Sequence, residues 1–459
     1  MDHNELSIEL IEKFNVPIPR YTSYPMVPYW SPTHGNLEHK EFLEKASKSS
    51  DPLSLYIHIP FCSRRCFFCG CNVKISNNPE HSEEYLKYLI KEIKIVSKYL
   101  DKRKNVSQLH FGGGTPTHLY PGQLRYLLDQ IYSQFNILDN AELSIEAHPS
   151  FTHFDHIDVL TDAGFNRLSI GVQDFDEQVQ MKVNRFQTVE ETRDLIDYAR
   201  TKGKMKINID LIYGLPFQTM DGFSETIRII LDIKPDRLAI YSYAHLPKQI
   251  KHQSIFPDEI ILKGKEKFSL FLKARSELLC NGYNQIGFDH FSLLDDELWI
   301  AYKNNTLRRN FMGYTTQAGT DLIGFGYSSI SDVAGSYAQN SKSLKDYYSK
   351  IDKDGLATER GMALSTNDII CKEVIMNWMC QNSYNPDHLL EKFSNFNISD
   401  LLKDFNENLN FFKDLELIRY EKKEWVATKL GKIFARNVAS SFDQYLKKKG
   451  LKEIYSKAI

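Results

Sequence analysis

A chain of 459 residues with 57 basic and 59 acidic side chains is long for one hydrophobic core and nearly neutral, at a formal charge of −2. It has no global field for nucleic acid or an anionic membrane, and no uninterrupted apolar run approaches a bilayer span. Binding to nucleic acid and residence in a membrane are therefore not expected, and a soluble, cytoplasmic protein is. Seven cysteines, with no charged, apolar, small-residue leader ahead of them, do not imply a disulfide framework.

Residues 1–50 read as an N-terminal arm, in which the prolines and aromatics of PRYTSYP (19–25) suit a fixed segment folded back over the rest of the chain. The first strand, over 55–59, runs into CSRRCFFCGC, where Cys62, Cys66 and Cys69 are spaced C-x3-C-x2-C. Three thiolates on one short loop can hold three irons of a cubane and leave the last iron open to a reactive ligand. Zinc also suits thiolates, but structural zinc sites usually pair two ligand clusters, and no second C-x2-C or H-x3-H pair follows. Cys71 would strain ligation of the same compact cluster and reads as a neighbour of the loop. Cys280, Cys371 and Cys380, in apolar helical contexts, read as buried small hydrophobes.

Residues 51–355 alternate short apolar runs with longer amphipathic ones. Strands are predicted at 55–59, 108–111, 143–145, 167–171, 206–212 and 237–241, each followed by a helical pattern. In HSEEYLKYLIKEIKIVSKYL, for example, Tyr85, Leu89, Ile93 and Val96 share one face while Lys and Glu take the other. This alternation predicts a parallel sheet with helices outside it, an open or closed α/β barrel whose ligands gather at the C-terminal strand ends. Unusual residues fall at those ends. FGGGTPT (111–117) lets backbone amides approach a ligand or simply makes a tight turn, and the next three strands end in Glu146, Gln173 and Asp210, a polar rim beside the cysteine loop.

Beyond about 356 the alternation stops. Residues 356–459 read as a smaller, mainly helical domain with a short two-strand signal in LIRYEKKEWVAT. Its mixed charge favours a cap over the barrel mouth rather than a nucleic-acid module.

CSRRCFFCGC preceded by LYIHIPF, then HFGGGTPT and the strand-end Glu146, resemble the radical S-adenosylmethionine (SAM) superfamily. Within it, PRYTSYP, the C-G-C end of the cysteine loop, GFNRLSIGVQDF, NIDLIYGLPFQT, YAHLP, GFDHF, GYTTQ, TKLGKIFARN and FDQYL resemble the oxygen-independent coproporphyrinogen III oxidase family, in the same order over nearly the whole chain. The resemblance implies a partial (β/α)6 TIM-like radical SAM barrel with Cys62, Cys66 and Cys69 holding a [4Fe–4S] cluster. It also implies the chemistry. SAM on the open iron is cleaved by one electron from a donor such as a flavodoxin-type reductant, and the 5′-deoxyadenosyl radical takes a hydrogen from a propionate β-carbon. Carbon dioxide leaves and a second electron passes on, so that two such events turn coproporphyrinogen III into protoporphyrinogen IX in haem biosynthesis. Tyr56, Gly113, Glu146, Ala244 and Ile330 match the contacts of the cluster-bound SAM, with Tyr56, Glu146 and Ile330 as the catalytic set. Phe68, Gly114, Thr115, Gln173, Arg185 and Asp210 match residues around a second SAM molecule. A monomer is expected.

On residue chemistry alone, Tyr56 also reads as a strand core aromatic, Ile330 as merely buried and Arg185 as a solvated helix arginine. Arg20, Arg308 and Arg309 are candidates for the substrate carboxylates, or surface charge, and Phe325, Gly326 and Tyr327 for a wall against the macrocycle. Two positions depart from the family pattern. Met312 stands where a glutamine is common and His148 where an aspartate is usual, which keeps open another tetrapyrrole enzyme of the superfamily, such as a haem-opening methyltransferase, or a haem chaperone.

Overall fold

The computed structural model describes residues 8–203, 205–317, 320–446 and 455–458. Six parallel strands, β1 (Leu53–Ile59), β2 (Asn105–Gly113), β3 (Asn136–Ala147), β4 (Arg167–Gln173), β5 (Lys206–Tyr213) and β6 (Arg237–Ser242), lie side by side in chain order. Their predicted positions hold and their ends extend by one to seven residues. Each is longer than its apolar run because the polar strand ends still pair with neighbours. The sheet continues through β7 (Asn284–Ile286) and β8 (His290–Ser292) beyond β6. On the other side of β1 it continues through β9 (Asp321–Phe325), β10 (Ile330–Val333), β11 (Ser336–Asn340) and β12 (Thr358–Ala363). Only β9 extends the parallel run, pairing with β1; β7, β8 and β10–β12 run antiparallel to their neighbours. The two edge strands, β7 and β12, do not pair with each other, so the α/β barrel is open.

Helices cover the outside. Pro79–Tyr99 buries Tyr85, Leu89, Ile93 and Val96, as its periodicity predicts, but it also buries Glu92, which the pattern assigned to the polar face. Glu92 Oε2 accepts from the Gly326 amide (2.7 Å) and the Tyr347 hydroxyl (2.8 Å), and Oε1 from Asn340 Nδ2 (2.6 Å). Three donors offset much of the cost of burying a carboxylate, and a hydropathy pattern cannot register them. Cys371 and Cys380 are buried, whereas Cys280 is exposed. It is the last residue of Gly264–Cys280, off the stripe formed by Phe268, Phe271, Ala274 and Leu278.

The boundary drawn at 355/356 falls short of the sheet's end, since β12 runs to Ala363 and pairs with β11. The arm reaches the same edge, where the Ser31 and Gly361 backbones exchange hydrogen bonds of 2.8 and 3.0 Å. Further along, helices Thr366–Gln381 and Ser399–Asp414 pack around Trp378, Phe405 and Phe442 beside a small three-stranded sheet. The PRYTSYP segment is clamped between barrel and C-terminal region. Arg20 donates to the Ser242 carbonyl at the end of β6, the Tyr21 hydroxyl to Asp443 (3.1 Å), and Arg436 to the Ile18 carbonyl (2.8 Å). No helix among the described residues is long and apolar enough to cross a membrane.

Burial pushes the Glu92 carboxyl up to about 7, against its three hydrogen bonds. Between the unfolded value and pH 7 the folded state holds a proton that the unfolded chain has lost, so this group's stabilisation declines as pH rises through that window. Glu92→Gln removes the titration. Its melting temperature relative to the parent is expected to rise from pH 5 to pH 8, a difference worth up to about 3 kcal/mol, measured by thermal denaturation at a series of pH values.

Candidate active site

Two adjoining cavities lie at the C-terminal ends of the parallel strands, and a third reaches from them down into the barrel. The first, about 260 Å³, is lined by Tyr56, His58, Gly113, Glu146, Met312 and Ile330. The second, about 280 Å³, is lined by Cys62, Cys66 and Cys69 together with Phe68, Gly114, Thr115, Gln173, Arg185 and Asp210. The third, about 110 Å³, lies among Asp210, Tyr241, His290 and Met312 inside the barrel. The two residue sets inferred from resemblance thus fall largely into separate cavities. Ala244, just beyond β6, lines none of the three, and its carbonyl accepts from Gln253 Nε2 (3.1 Å).

Glu146 lines all three cavities. Its side chain keeps 43% of its surface open inside the barrel because it faces these spaces. Burial would raise its carboxyl, but His110 Nε2 at 3.4 Å and the Gly113 amide at 3.1 Å outweigh this and hold it below the ordinary range. Asp210, bonded to Asn208 (2.9 Å) and Ser169 (3.4 Å), goes the other way, as burial and the nearby Glu146 charge push it up to about 6.

Tyr56 and His58 share one face of β1, and Tyr56 pairs in register with His110 on β2, their rings 5.9 Å apart. His58 Nε2 meets the Asn72 carbonyl at 3.1 Å and so carries the proton, leaving Nδ1 to accept from the Tyr56 hydroxyl at 3.1 Å. Burial lowers His58 to about 4, which keeps it neutral. Neither histidine was singled out in the sequence. The alternation of LYIHIP was the available signal for His58, whereas His110 needed the β1–β2 register.

The glycine run is more than a tight turn, since Gly113 ends β2 with φ +118° and a Cβ there would lie 2.7 Å from the His58 ring. Gly114 passes so close to the cysteine loop that a Cβ would meet the Phe61 carbonyl oxygen at 2.7 Å. Cys71 lines both larger cavities, with its amide 3.4 Å from Cys69 Sγ.

Arg185 is neither solvated nor helical. It follows helix Glu177–Lys182, is buried, donates to the Gly171 carbonyl, sets Nη1 3.7 Å from Cys66 Sγ and leaves Nε without a partner. His148 also lines the cysteine cavity, where burial and then Arg185 and Arg64 drive it down to about 2, so it is a neutral side chain accepting from the Ser150 amide (3.3 Å).

Other candidates lie elsewhere. Arg308 is exposed and bonded to the Asn305 and Leu307 carbonyls, and Arg309 donates to the Tyr21 carbonyl and sits 4.5 Å over Tyr314. Neither these nor Arg20 line the three cavities. Phe325 lies in the hydrophobic core, and Gly326 turns the chain at φ +95°, so the cavity wall is Ser328, Ser329 and Ile330 instead of residues 325–327.

A family model described as the radical SAM superfamily matches residues 56–230, the stretch that carries the cysteine loop and the glycine run. Fold and site together define a radical SAM protein. The oxygen-independent coproporphyrinogen III oxidases of Pseudomonas aeruginosa (39% identical, 95% of each chain) and Escherichia coli (40%, 98% of each) align over almost the full length. A solved coproporphyrinogen III oxidase from Escherichia coli, described as a radical SAM enzyme, superposes with a TM-score of 0.89 at 37% identity, over 94% of this chain and 100% of that one. The chain belongs to the oxygen-independent coproporphyrinogen III oxidase family.

Membership brings a [4Fe–4S] cluster and SAM as cofactors, and the residues present fit both. Three thiols, the ligand type that iron–sulfur clusters take, line one cavity; burial pushes Cys62 up to about 11 and raises Cys66, whereas the hydrogen bond with Cys71 brings Cys69 down to about 7. The buried, incompletely paired Arg185 beside Cys66 suits an anionic cluster–thiolate assembly.

Gly113→Ala must resolve both a positive φ and the collision with His58. A loss of about 2 kcal/mol or more is expected, read as a lowered melting temperature, whereas Gly122→Ala, with open space around its Cβ, melts as the parent does.

Proposed function

We propose that this chain catalyses the oxidative decarboxylation of two propionate side chains of coproporphyrinogen III to vinyl groups, giving protoporphyrinogen IX. The observation that carries this reading is the meeting of the cysteine cavity and the Tyr56–Ile330 cavity at Glu146, in a chain of this family. When bound, the cluster and SAM supply one-electron chemistry able to remove hydrogen from an unactivated carbon. Cys62, Cys66 and Cys69 hold the cluster, and Arg185 offsets its negative charge. Glu146, ionised, accepts from an ammonium or hydroxyl group of SAM. Tyr56 and Ile330 close the first cavity against water, and Gly113 admits the ligand to the backbone.

Phe68, Gly114, Thr115, Gln173, Arg185 and Asp210 form a second SAM site, in which the guanidinium pairs with a carboxylate and Asp210 with a cationic or hydroxyl group. Ala244 is left out of the first site, since it lines neither cavity and its carbonyl is taken by Gln253 Nε2. Met312, between the first and third cavities, presents a thioether where family members commonly carry an amide, so substrate groups there meet an apolar wall. Arg308 is not included among the carboxylate partners, since it lines none of the cavities and points its Nη1 at the Asn305 and Leu307 carbonyls. Residues 1–50 act as an arm, 51–355 with β12 as the barrel and the remainder as a cap. An external one-electron donor completes the reaction, and the enzyme works as a cytoplasmic monomer.

Anaerobic incubation of the reconstituted protein with SAM, a reductant and coproporphyrinogen III should release carbon dioxide and form protoporphyrinogen IX. Methylated or opened haem, or haem binding without SAM turnover, would sink the proposal. Cys62→Ala, Cys66→Ala and Cys69→Ala should each abolish product and reduce bound iron, measured chemically and by visible absorption. As Asp210 ionises, its attraction for a cation strengthens, so SAM affinity should rise from pH 5 to pH 7, and Asp210→Asn should flatten that rise in equilibrium dialysis.

A further inference from the structure

Among the residues lining the first cavity only Cys71 is exposed, so the cavity opens beside it. Both lips of that opening carry cations. On the cysteine-loop side Lys74 follows Cys71 and Asn72, its amide held by the Pro60 carbonyl (2.7 Å), and its ammonium lies 5.6 Å from the Tyr327 ring. On the other side Arg360 of β12 pairs in register with Gln339 of β11, a lining residue. Gln339 accepts from Arg360 Nε (2.8 Å) and donates through Nε2 to the Ser328 carbonyl (3.2 Å), so the guanidinium is braced against the cavity wall. Lys342 lies just beyond β11, and partial burial, then the nearby Arg360 charge, lower its ammonium. The two lips meet at Tyr327, whose phenol is raised by burial and by the charge of Glu359, the residue before Arg360.

Little opposes this charge. The acid among these residues, Glu359, accepts through Oε2 from the Lys342 amide (3.0 Å). Surface cations elsewhere are commonly paired, as in Arg125–Asp162 (2.8 Å) and Lys91–Asp352 (2.7 Å). Among the described residues Lys74, Lys342 and Arg360 form no ion pair, and the two terminal nitrogens of Arg360 have no partner. A guanidinium fixed through Nε and free at both terminal nitrogens is a preset two-pronged donor for a carboxylate.

We propose that Lys74, Lys342 and Arg360 form a cationic rim that binds outlying carboxylates of the substrate at the mouth of the first cavity. The inference rests on the functional reading, which gives the substrate four carboxylates. The first cavity, about 260 Å³ and shared with SAM, cannot also enclose a four-pyrrole macrocycle with its side chains, so part of the macrocycle lies at the opening. Carboxylates there meet cations that no protein carboxylate has taken. Arg360 sets the orientation of the group it holds, and the two lysines add point charges on either side of it. None of the three lines the cavities themselves, so the rim acts on the periphery of the substrate and leaves the reacting side chain to the interior.

Anaerobic ultrafiltration of the reconstituted holoprotein with coproporphyrinogen III or its tetramethyl ester, without reductant, reads affinity in the absence of turnover once the bound ligand is oxidised to the fluorescent porphyrin. The parent should bind the acid more tightly than the ester, and added salt should erode that preference. Arg360→Gln and Lys74→Gln should each weaken binding of the acid about fivefold and leave the ester unchanged, with Arg360→Lys between Arg360→Gln and the parent. Lys403→Gln, on the exposed face of Ser399–Asp414, should bind both ligands as the parent does. The proposal is overturned if the parent binds the acid no better than the ester, if both variants keep the parent's affinity for the acid, or if they lose the ester equally. Product formation is scored separately. Charge-dependent binding with no carbon dioxide released would sink the proposed reaction and not the rim, whereas turnover by the variants with an unchanged KM would sink the rim alone.

Discussion

Two backbone hydrogen bonds fasten the end of β2 to the chain entering the cysteine loop: Gly114 N–H to the Ile59 carbonyl (2.8 Å) and Thr115 N–H to the Phe61 carbonyl (2.9 Å). Their geometry requires the close approach that glycine allows at 114. The loop's far side is held by His252 Nε2 on the Cys69 carbonyl (2.7 Å) and Gln253 Nε2 on the Phe68 carbonyl (2.9 Å). With the bonds of the Phe67 amide to the Val183 carbonyl (2.9 Å) and of Asn184 Nδ2 to the Arg65 carbonyl (2.8 Å), the three thiols are carried on backbone anchored to three separate elements. A cluster bound there is oriented by the barrel and not by a free loop.

The electrostatics of the interior are sorted by depth. Toward the N-terminal strand ends, Arg167 and Arg237 are buried against Glu142, Asp296 and Glu297, with Arg237 Nε 2.7 Å from Asp296 and Arg167 Nη2 2.7 Å from Glu297. The two guanidiniums outweigh burial and hold Glu142 down at about 2. Above this compensated layer, Glu146 and Asp210 have hydroxyl, amide and imidazole partners instead of guanidiniums, and their carboxyls separate, one lowered and one raised. Paired charges make the floor of the third cavity, and the incompletely satisfied Glu146 and Asp210 face the spaces above it, where ligands can satisfy them.

Period and spacing made much of this readable in advance. Six apolar runs at barrel intervals placed β1–β6, and a parallel sheet puts its strand ends on one rim, so Glu146, Gln173 and Asp210 could be grouped before any coordinates. Residues defined by tertiary contact were not readable. Glu92 looks like any helix glutamate until Gly326, Asn340 and Tyr347 surround it. Arg185 looks solvated until the cysteine loop folds onto it. The wall at 328–330 was misplaced by about three residues, because the turn at Gly326 redirects the chain. Arg308 and Arg309 were grouped by a shared motif, yet adjacent strand residues point to opposite faces, and one is exposed while the other lies over Tyr314.

Glu146 belongs to three compartments at once, and this makes their occupants thermodynamically interdependent. A ligand that takes either carboxylate oxygen competes with His110 or the Gly113 amide and changes the field at Asp210. Any change that this makes in affinity at a neighbouring space is matched by the same factor in the reverse direction. A single side chain thus links the three chambers.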